Sequence, residues 1–447
     1  MTGDGTRQLH LGPLGRVEGE GSLHLVLRDG ELAEARLAIY EPPRFFEAFL
    51  RGRGHTEPPD LTSRICGICP VAYQLSACRA LEDACGVRVE GQLAALRRLL
   101  YCGEWIESQA LHVHLLHAPD FFGCDSAIEL ARTHREDVAR GLRVKQAGNA
   151  IVELLGGRAI HPVNVRLGGF HRVPAPAELR PLAELLRRAR DDAEESVHWV
   201  SGFDFPDAVC DADLFALAEP DHYAVESGTP TVLRTDGDRR GSVHAFPLAE
   251  FGTHVVEHQV PYSTALHSRL DGRRHLTGSL ARFAISGHRM PAGLLDLAVA
   301  GGLGDPRTGA VCRNPYRSIV IRAIEVLYAV DEALRIIDEY RPPPRPYIPV
   351  PARAATGHGA TEAPRGLLYH RYMLAADGTV TDAVLVPPTA QNQGAIEADV
   401  ARAVRARLAV GPPAEDAELA TLSERAIRNH DPCISCSAHF LRLSVER

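Results

Sequence analysis

Two Cys-x-x-Cys pairs stand near opposite ends of this 447-residue chain, in Arg64-Ile65-Cys66-Gly67-Ile68-Cys69 and Asp431-Pro432-Cys433-Ile434-Ser435-Cys436. Two residues between thiols is the spacing at which one loop or helix start presents both sulfurs to a single metal. A shared site would oblige the fold to close the whole chain around one centre. The pairs alone leave three outcomes open: unrelated structural thiol pairs, a long-range zinc clip, or a rarer metal centre. The other six cysteines, Cys78, Cys85, Cys102, Cys124, Cys210 and Cys312, are isolated and read as small buried apolar residues. Ten cysteines are too sparse for a disulfide scaffold of this length and fit a reducing cytosol.

Charge narrows the partners. The net charge of −8 gives no basic footprint for nucleic acid and no polybasic membrane patch. The positive charge is almost all arginine, with Lys145 the single lysine, a usage that reflects nucleotide bias more than function. No apolar run approaches the ~20 residues of a membrane span. The start, Met1-Thr2-Gly3-Asp4-Gly5-Thr6, lacks the basic-then-apolar pattern of a signal peptide. A cytoplasmic protein is expected.

Along the chain, Leu23, Leu25 and Leu27 alternate, Asp29-Gly30 supplies a turn, and Ala35, Leu37 and Ile39 alternate on the return, which predicts a hairpin. The glycine-rich Gly15-Arg16-Val17-Glu18-Gly19-Glu20-Gly21 feeds a strand, not a helix, so it speaks for close backbone approach with Glu18 on a tight loop, against a dinucleotide site. Helical stripes follow. One runs through Leu93, Leu96, Leu99, Leu100, Trp105, Ile106 and Leu111 into a His-rich turn with His112, His114, His117, Pro119 and Asp120. Others run from Leu182 to Val200, from Val320 to Ile337, and through Ile396, Val400, Val404 and Leu408. Hairpins are predicted about Asp236-Gly237 and, from Leu367 to Val386, about Asp377-Gly378, and the proline-rich Arg341 to Pro351 reads as a linker. The fold class expected is mainly α with small peripheral hairpins and sheets (α+β) on a core of long helices. A single unit over 1–447 is expected, with an N-terminal β and loop region (1–60), a helical core (61–340) and a linker, hairpin and C-terminal metal motif (341–447).

Together these residues resemble the large subunit of nickel–iron hydrogenases over nearly the whole chain. The two cysteine motifs are the most specific part. Arg16-Val17-Glu18-Gly19, the Glu41 to Glu47 stretch, His161-Pro162, Ala363-Pro364-Arg365-Gly366 and the final Cys-x-x-Cys-x-x-His fall in the family's order. The context Cys66-Gly-Ile-Cys69-Pro-Val-Ala-Tyr73 and the short C-terminal tail look most like the alpha subunits of the cytosolic NAD(P)-linked or sulfhydrogenase branch. The resemblance implies reversible splitting of H2 into a proton and a hydride. That chemistry needs a Lewis-acidic metal and a nearby base, and soft thiolates suit nickel and can bridge a second metal.

By resemblance, Cys66 and Cys433 are terminal on nickel, and Cys69 and Cys436 bridge to an iron carrying CO and two cyanides. Cys433 is the implied first proton acceptor and Glu18 the relay. Arg365 and Thr389 are the implied donors to cyanide, with Ala363 and Pro364 lining the pocket, His161 a supporting histidine, and Asp120 and Arg365 an acid and base over the open metal face. A magnesium site is implied at Glu47 and His439, with a carbonyl near Ala383 to Leu385. Two positions depart from the family's pattern: Tyr73 and Gln109 stand where histidines are usual, while His112 is kept. A tyrosine donates one hydrogen bond toward the bridging sulfur but does not become a cation.

The implied partners are an iron–sulfur small subunit, flavin or NAD(P) diaphorase and ferredoxin-like subunits, and a maturation protease that cuts after His439 and removes residues 440–447. Two other readings belong beside this one: a non-catalytic H2 sensor with the same centre, and a structural zinc protein. The related quinone-reductase subunit lacks the four cysteines, which argues against it.

Overall fold

The structure, a computed structural model, describes residues 6–223, 225–236, 239–410 and 414–438. The predicted first hairpin forms between β2 (Gly21–Arg28) and β3 (Glu31–Ile39), antiparallel, with Leu23, Leu25 and Leu37 fully buried. Asp29 and Gly30 take φ of 52° and 84°, the left-handed pair that a two-residue hairpin turn demands. A third strand that the sequence reading omitted, β1 (Thr6–Leu11), pairs antiparallel with β2. Only Leu9 of β1 is buried, so its apolar alternation is too faint to read.

The main core is helical: α1 (Pro70–Cys85), α2 (Gly91–Leu111), α3 (Arg135–Gly156), α4 (Pro176–Ser201), the shorter α5 (Ser279–Ser286) and α6 (Ser318–Glu339). Helix α2 packs against α3 and α6, and α6 against α4. The α2–α3 crossing is close because glycines face it. A methyl on Gly148 would lie 2.6 Å from the Glu107 nitrogen, and one on Gly103 would lie 2.9 Å from Ile151 Cβ. After Leu111 the helix widens into a π-helical turn, His112–His117, and then tightens into a 3-10 turn, Ala118–Phe122, which is the predicted His-rich end.

Small sheets surround this core. The strands β4 (Asp213–Ala218), β5 (Thr229–Asp236), β6 (Arg239–Ala245) and β7 (His275–Leu276) lie in the order β7-β4-β5-β6. The hairpin predicted about Asp236-Gly237 is β5–β6, with Gly237 itself outside the described residues. The predicted Leu367–Val386 hairpin is β9 (Gly366–Leu374) with β10 (Val380–Val386), and β8 (Ala355–Ala363) completes that antiparallel sheet. The proline-rich stretch expected as a linker is instead strapped to the body. Ile348 N donates to Gly168 O (2.9 Å) and Phe170 N donates to Pro346 O (2.8 Å). Its prolines exclude a helix, but the chain on either side of Tyr347 still exchanges backbone hydrogen bonds with the 168–170 segment.

Near the end run α7 (Pro388–Leu408) and α8 (Asp416–Arg428). Leu9, Leu23, Leu25 and Leu37 of the N-terminal sheet form one buried cluster with Ile396, Val400 and Val404 of α7 and Leu419 and Ile427 of α8. Each such fully buried side chain contributes about 1.5–3 kcal/mol, so the first and last parts of the chain are held together by an apolar seam. Among the described residues, no helix is long and apolar enough to cross a membrane.

Candidate metal centre

The two cysteine pairs meet at one point within the main core. All four sulfurs lie within 4.8 Å of one another. Cys66 Sγ is 3.4 Å from Cys433 Sγ, Cys69 Sγ is 3.4 Å from Cys436 Sγ, and Cys433 and Cys436 Sγ are 2.7 Å apart. The cysteines are 0–4% exposed. Hydrogen bonds among the thiols, first from Cys433, hold Cys66 well below its ordinary pKa, while burial pushes Cys433 up and Cys436 up to about 11. A metal-free cluster therefore keeps protons that a soft cation would displace, and a buried all-thiolate donor set is one that nickel and iron fit.

Each arm is positioned differently. Cys69 is the N-cap of α1, with Pro70 in its first turn, yet its side chain caps nothing. Glu104 of α2, 1% exposed, takes that task by accepting from Val71 N (2.6 Å) and Ala72 N (3.0 Å). The orphan amides of the helix start are thus satisfied from outside, and the Cys69 sulfur is left for metal. Cys433 opens the short Ile434–Ser437 turn. Its amide donates to Thr389 Oγ1 (3.0 Å), so Thr389, expected as a donor to cyanide, also anchors the cysteine backbone.

Glu18 reaches this arm from the glycine loop. Ile434 N donates to Glu18 O (2.9 Å), and Glu18 Oε2 accepts from Cys433 Sγ (3.0 Å) and Ser435 N (3.1 Å). Gly19 next to it has φ 88°, and a methyl there would sit 2.5 Å from Glu41 Oε1 and 2.7 Å from Ile434 Cβ. Only glycine lets the loop lie so near.

Arg365, fully buried, leaves the β8–β9 turn and donates to Ser108 Oγ (3.2 Å) and Asp431 Oδ1 (3.1 Å). Burial alone would lower its pKa, but Asp431 and the sulfurs of Cys433, Cys69 and Cys66 hold it well above the ordinary value. Arg365 Nε and Asp431 Oδ2 are buried without a protein partner. Such orphaned polar atoms beside the sulfurs suit a centre that brings polar ligands of its own.

Asp120 has other partners than the one expected. Expected over the metal face beside Arg365, its carboxylate is instead taken by Arg16 (2.6 Å) and Arg428 (2.7 and 2.8 Å). Burial would raise its pKa, yet Arg428 and Arg16 keep it below the ordinary carboxylate value. The acid facing Arg365 is Asp431, two residues before Cys433. Its sequence signal is the Asp-Pro-Cys motif itself.

The remaining expected residues fall around the centre. His161 Nδ1 pairs with Ser63 O (2.8 Å), bracing the turn before Cys66. The carbonyls of Ala363 and Pro364 accept from Arg282 (3.0 and 3.1 Å). Glu47, buried, accepts from Leu385 N (2.7 Å), so it does meet the 383–385 strand; His439 lies outside the described residues. Tyr73 donates to the Cys436 carbonyl (3.4 Å) instead of a sulfur, and burial keeps its phenol neutral. Gln109 is fully buried with both amide atoms unpartnered, while His112 Nε2 meets Arg428 O (2.9 Å).

Comparison with known proteins agrees with this geometry. The nickel-dependent hydrogenase family matches residues 44–146 and 325–439. The chain is 34% identical to the sulfhydrogenase 2 alpha subunit of Pyrococcus furiosus, covering 96% of this chain and 98% of that one. It is 31% identical to the sulfhydrogenase 1 alpha subunit of the same organism, covering 96% and 97%. A solved NAD+-reducing [NiFe]-hydrogenase in the H2-reduced state superposes with a TM-score of 0.86 at 28% identity, covering 97% of this chain and 99% of that one. With its mainly helical fold, its small sheets and its four converging cysteines, the chain belongs to the nickel-dependent hydrogenase family as a large subunit.

Proposed function

We propose that this subunit cleaves H2 reversibly and heterolytically at a nickel–iron centre. The observation that carries this reading is the 3.0 Å contact between Cys433 Sγ and Glu18 Oε2 within the four-sulfur cluster. Cys66 and Cys433 would hold nickel, and Cys69 and Cys436 would lie between nickel and an iron with CO and two cyanides. The centre supplies the Lewis acid that polarises H2. Cys433 then takes the proton, and Glu18, hydrogen-bonded to its sulfur, carries the proton away from the buried cluster. Arg365 and Thr389 would be the donors to those diatomic ligands. Magnesium would sit between Glu47, His439 and a carbonyl of 383–385.

Electrons leave through a partner. Among the described residues, the four site cysteines are the one group of three or more metal-ligating side chains close enough to share an ion. The relay therefore belongs to an iron–sulfur small subunit, with flavin or NAD(P) diaphorase and ferredoxin-like subunits beyond it. The named relatives, two sulfhydrogenase alpha subunits and an NAD+-reducing hydrogenase, support sulfur or NAD as the final acceptor. The ten sparse cysteines fit a cytoplasmic setting, and the family resemblance supports a protease that cuts after His439. Glu18→Gln tests the core of the reading, because an amide fills the space but cannot shuttle a proton. The variant should keep nickel and iron in equal amounts and lose H/D exchange. Exchange at the wild-type rate removes Glu18 from the reaction, and zinc in place of nickel and iron defeats the reading altogether.

A further inference from the structure

We infer that Arg282 sets the position of Arg365, and so acts on the metal centre without touching it. This rests on the reading of Arg365 as the guanidinium that faces that centre. Arg282 lies on α5, with its side chain 1% exposed. Its guanidinium uses its whole fork. Nε and Nη2 donate to the two oxygens of Glu325 (2.7 and 2.8 Å), and Nη1 donates to Glu362 Oε2 (3.2 Å). The same Nη1 and Nη2 donate to the carbonyls of Ala363 (3.0 Å) and Pro364 (3.1 Å), the two residues immediately before Arg365.

Neighbouring groups extend the clamp on the same turn. Trp105 lies under the guanidinium, its ring centroid 4.7 Å away, and donates from Nε1 to Glu362 O (2.8 Å). Three successive carbonyls, of residues 362, 363 and 364, are thereby fixed. On the far side, Leu367 N donates to Thr277 Oγ1 (2.8 Å). Gly278, the N-cap of α5, comes so near that a methyl there would be 3.0 Å from Arg365 O. One segment, 277–282, therefore grips the turn before and after Arg365. The backbone on either side of Arg365 is thus held, and its side chain donates to Ser108 and Asp431.

Lysine does not replace this arrangement. A planar fork binds a carboxylate bidentately and two adjacent carbonyls at once, whereas an ammonium carries three donors that converge on a point. Buried ion groups of this kind add little net stability over apolar packing, so their value lies in the geometry they impose. A purely structural role for Arg282 and a positioning role for Arg365 make different predictions once the two residues are changed together.

The experiment is a double-mutant cycle on the full, metal-loaded protein with its partner subunits: Arg282→Lys, Arg365→Lys and both. It reads nickel and iron content, H/D exchange and the nickel paramagnetic resonance spectrum. Arg282→Lys should keep both metals, lose about tenfold in exchange and shift the spectrum in the same sense as Arg365→Lys. The double variant should be no slower than Arg365→Lys alone, within about twofold, because the two act in series. A normal rate and spectrum in Arg282→Lys, or a double variant whose loss is the product of the single losses, overturns the inference alone. Wild-type exchange and spectrum in Arg365→Lys defeat the reading of Arg365 and the inference with it. Should Arg282→Lys fail to fold, Glu325→Gln loosens the same clamp more gently; it should shift the spectrum in the same sense with metals retained, and an unshifted spectrum overturns the inference.

Discussion

The two cysteine arms reach one cluster by opposite means. The first arm is secondary structure: Cys69 starts the 16-residue α1, whose opening amides are capped by Glu104. The second arm is the four-residue turn Ile434–Ser437, held almost wholly by distant partners. Thr389 holds the Cys433 amide, the Glu18 loop pairs with the Cys433–Ile434 backbone, and Arg44 N donates to Ala438 O (3.0 Å). A helix rooted in the core gives a rigid half-site. A short turn held from several distant segments gives a half-site that depends on each of them. The contrast teaches that ligand identity and ligand rigidity come from different parts of a fold.

Removing a ligand should erase the difference between the arms. Cys69→Ser and Cys433→Ser are both expected to lose nickel and at least about a thousandfold in H/D exchange, since soft thiolates define the site. Equal metal content and activity in either variant would show that one arm suffices.

Glu104→Ala separates the arms. It orphans two buried amides at the start of α1, which costs about 1–3 kcal/mol each. A matching drop in denaturant stability is expected. Unchanged stability would mean that α1 is not anchored through its start.

Glu362, in the clamp before Arg365, adds a pH dependence that both arms share. Burial raises the Glu362 carboxyl to about 7, with Arg282 and the Leu217 amide pulling it back. A carboxyl raised in the folded state lends stability below its unfolded value, near 4.5, and loses it as pH climbs through about 7. Between those limits the native state should lose on the order of 2–3 kcal/mol. Glu362→Gln should flatten that slope in unfolding curves taken across pH 4.5–7, and an unaltered slope would assign it to other groups.

The smallest effect belongs to the second arm. Thr389→Val removes the acceptor of the Cys433 amide at a cost of about 1–2 kcal/mol. Amide exchange should quicken at 433–438 and stay unchanged at 70–85. Equal quickening in both would abolish the contrast between the arms.

Much of this was legible in the chain. The cysteine spacing expresses what two sulfurs on one metal require, and the Leu23–Ile39 hairpin and the stripes of α2, α4, α6 and α7 each express a period that burial imposes. Helix α1 went unread because nearly every residue in it is buried, so it has no polar face to set a period. Helix α3 hid for a different reason: Gly141 and Gly148 on its packed side weaken both propensity and stripe, although close packing is what they serve. Within the site, the cysteines, Glu18 and Arg365 were found by their motifs. For Asp120 the motif could not say that two arginines, Arg16 and Arg428, would pair with it, since both come from distant parts of the chain. Ser108, Glu104 and Arg282 carry no local signal, since each matters only through a partner far along the chain.

The apolar seam between the N-terminal sheet and α7 and α8 bears on how the protein is made. On a ribosome the chain emerges from one end, and the first cysteine arm is exposed long before Cys433 has been translated. Contacts of such great sequence separation are slow to close and cannot form on a nascent chain. Two of the four sulfurs must therefore wait, unguarded, for the other two. Insertion of the metals becomes a step that follows synthesis, and a chain interrupted before α7 presents half a ligand set to whatever soft cation arrives first.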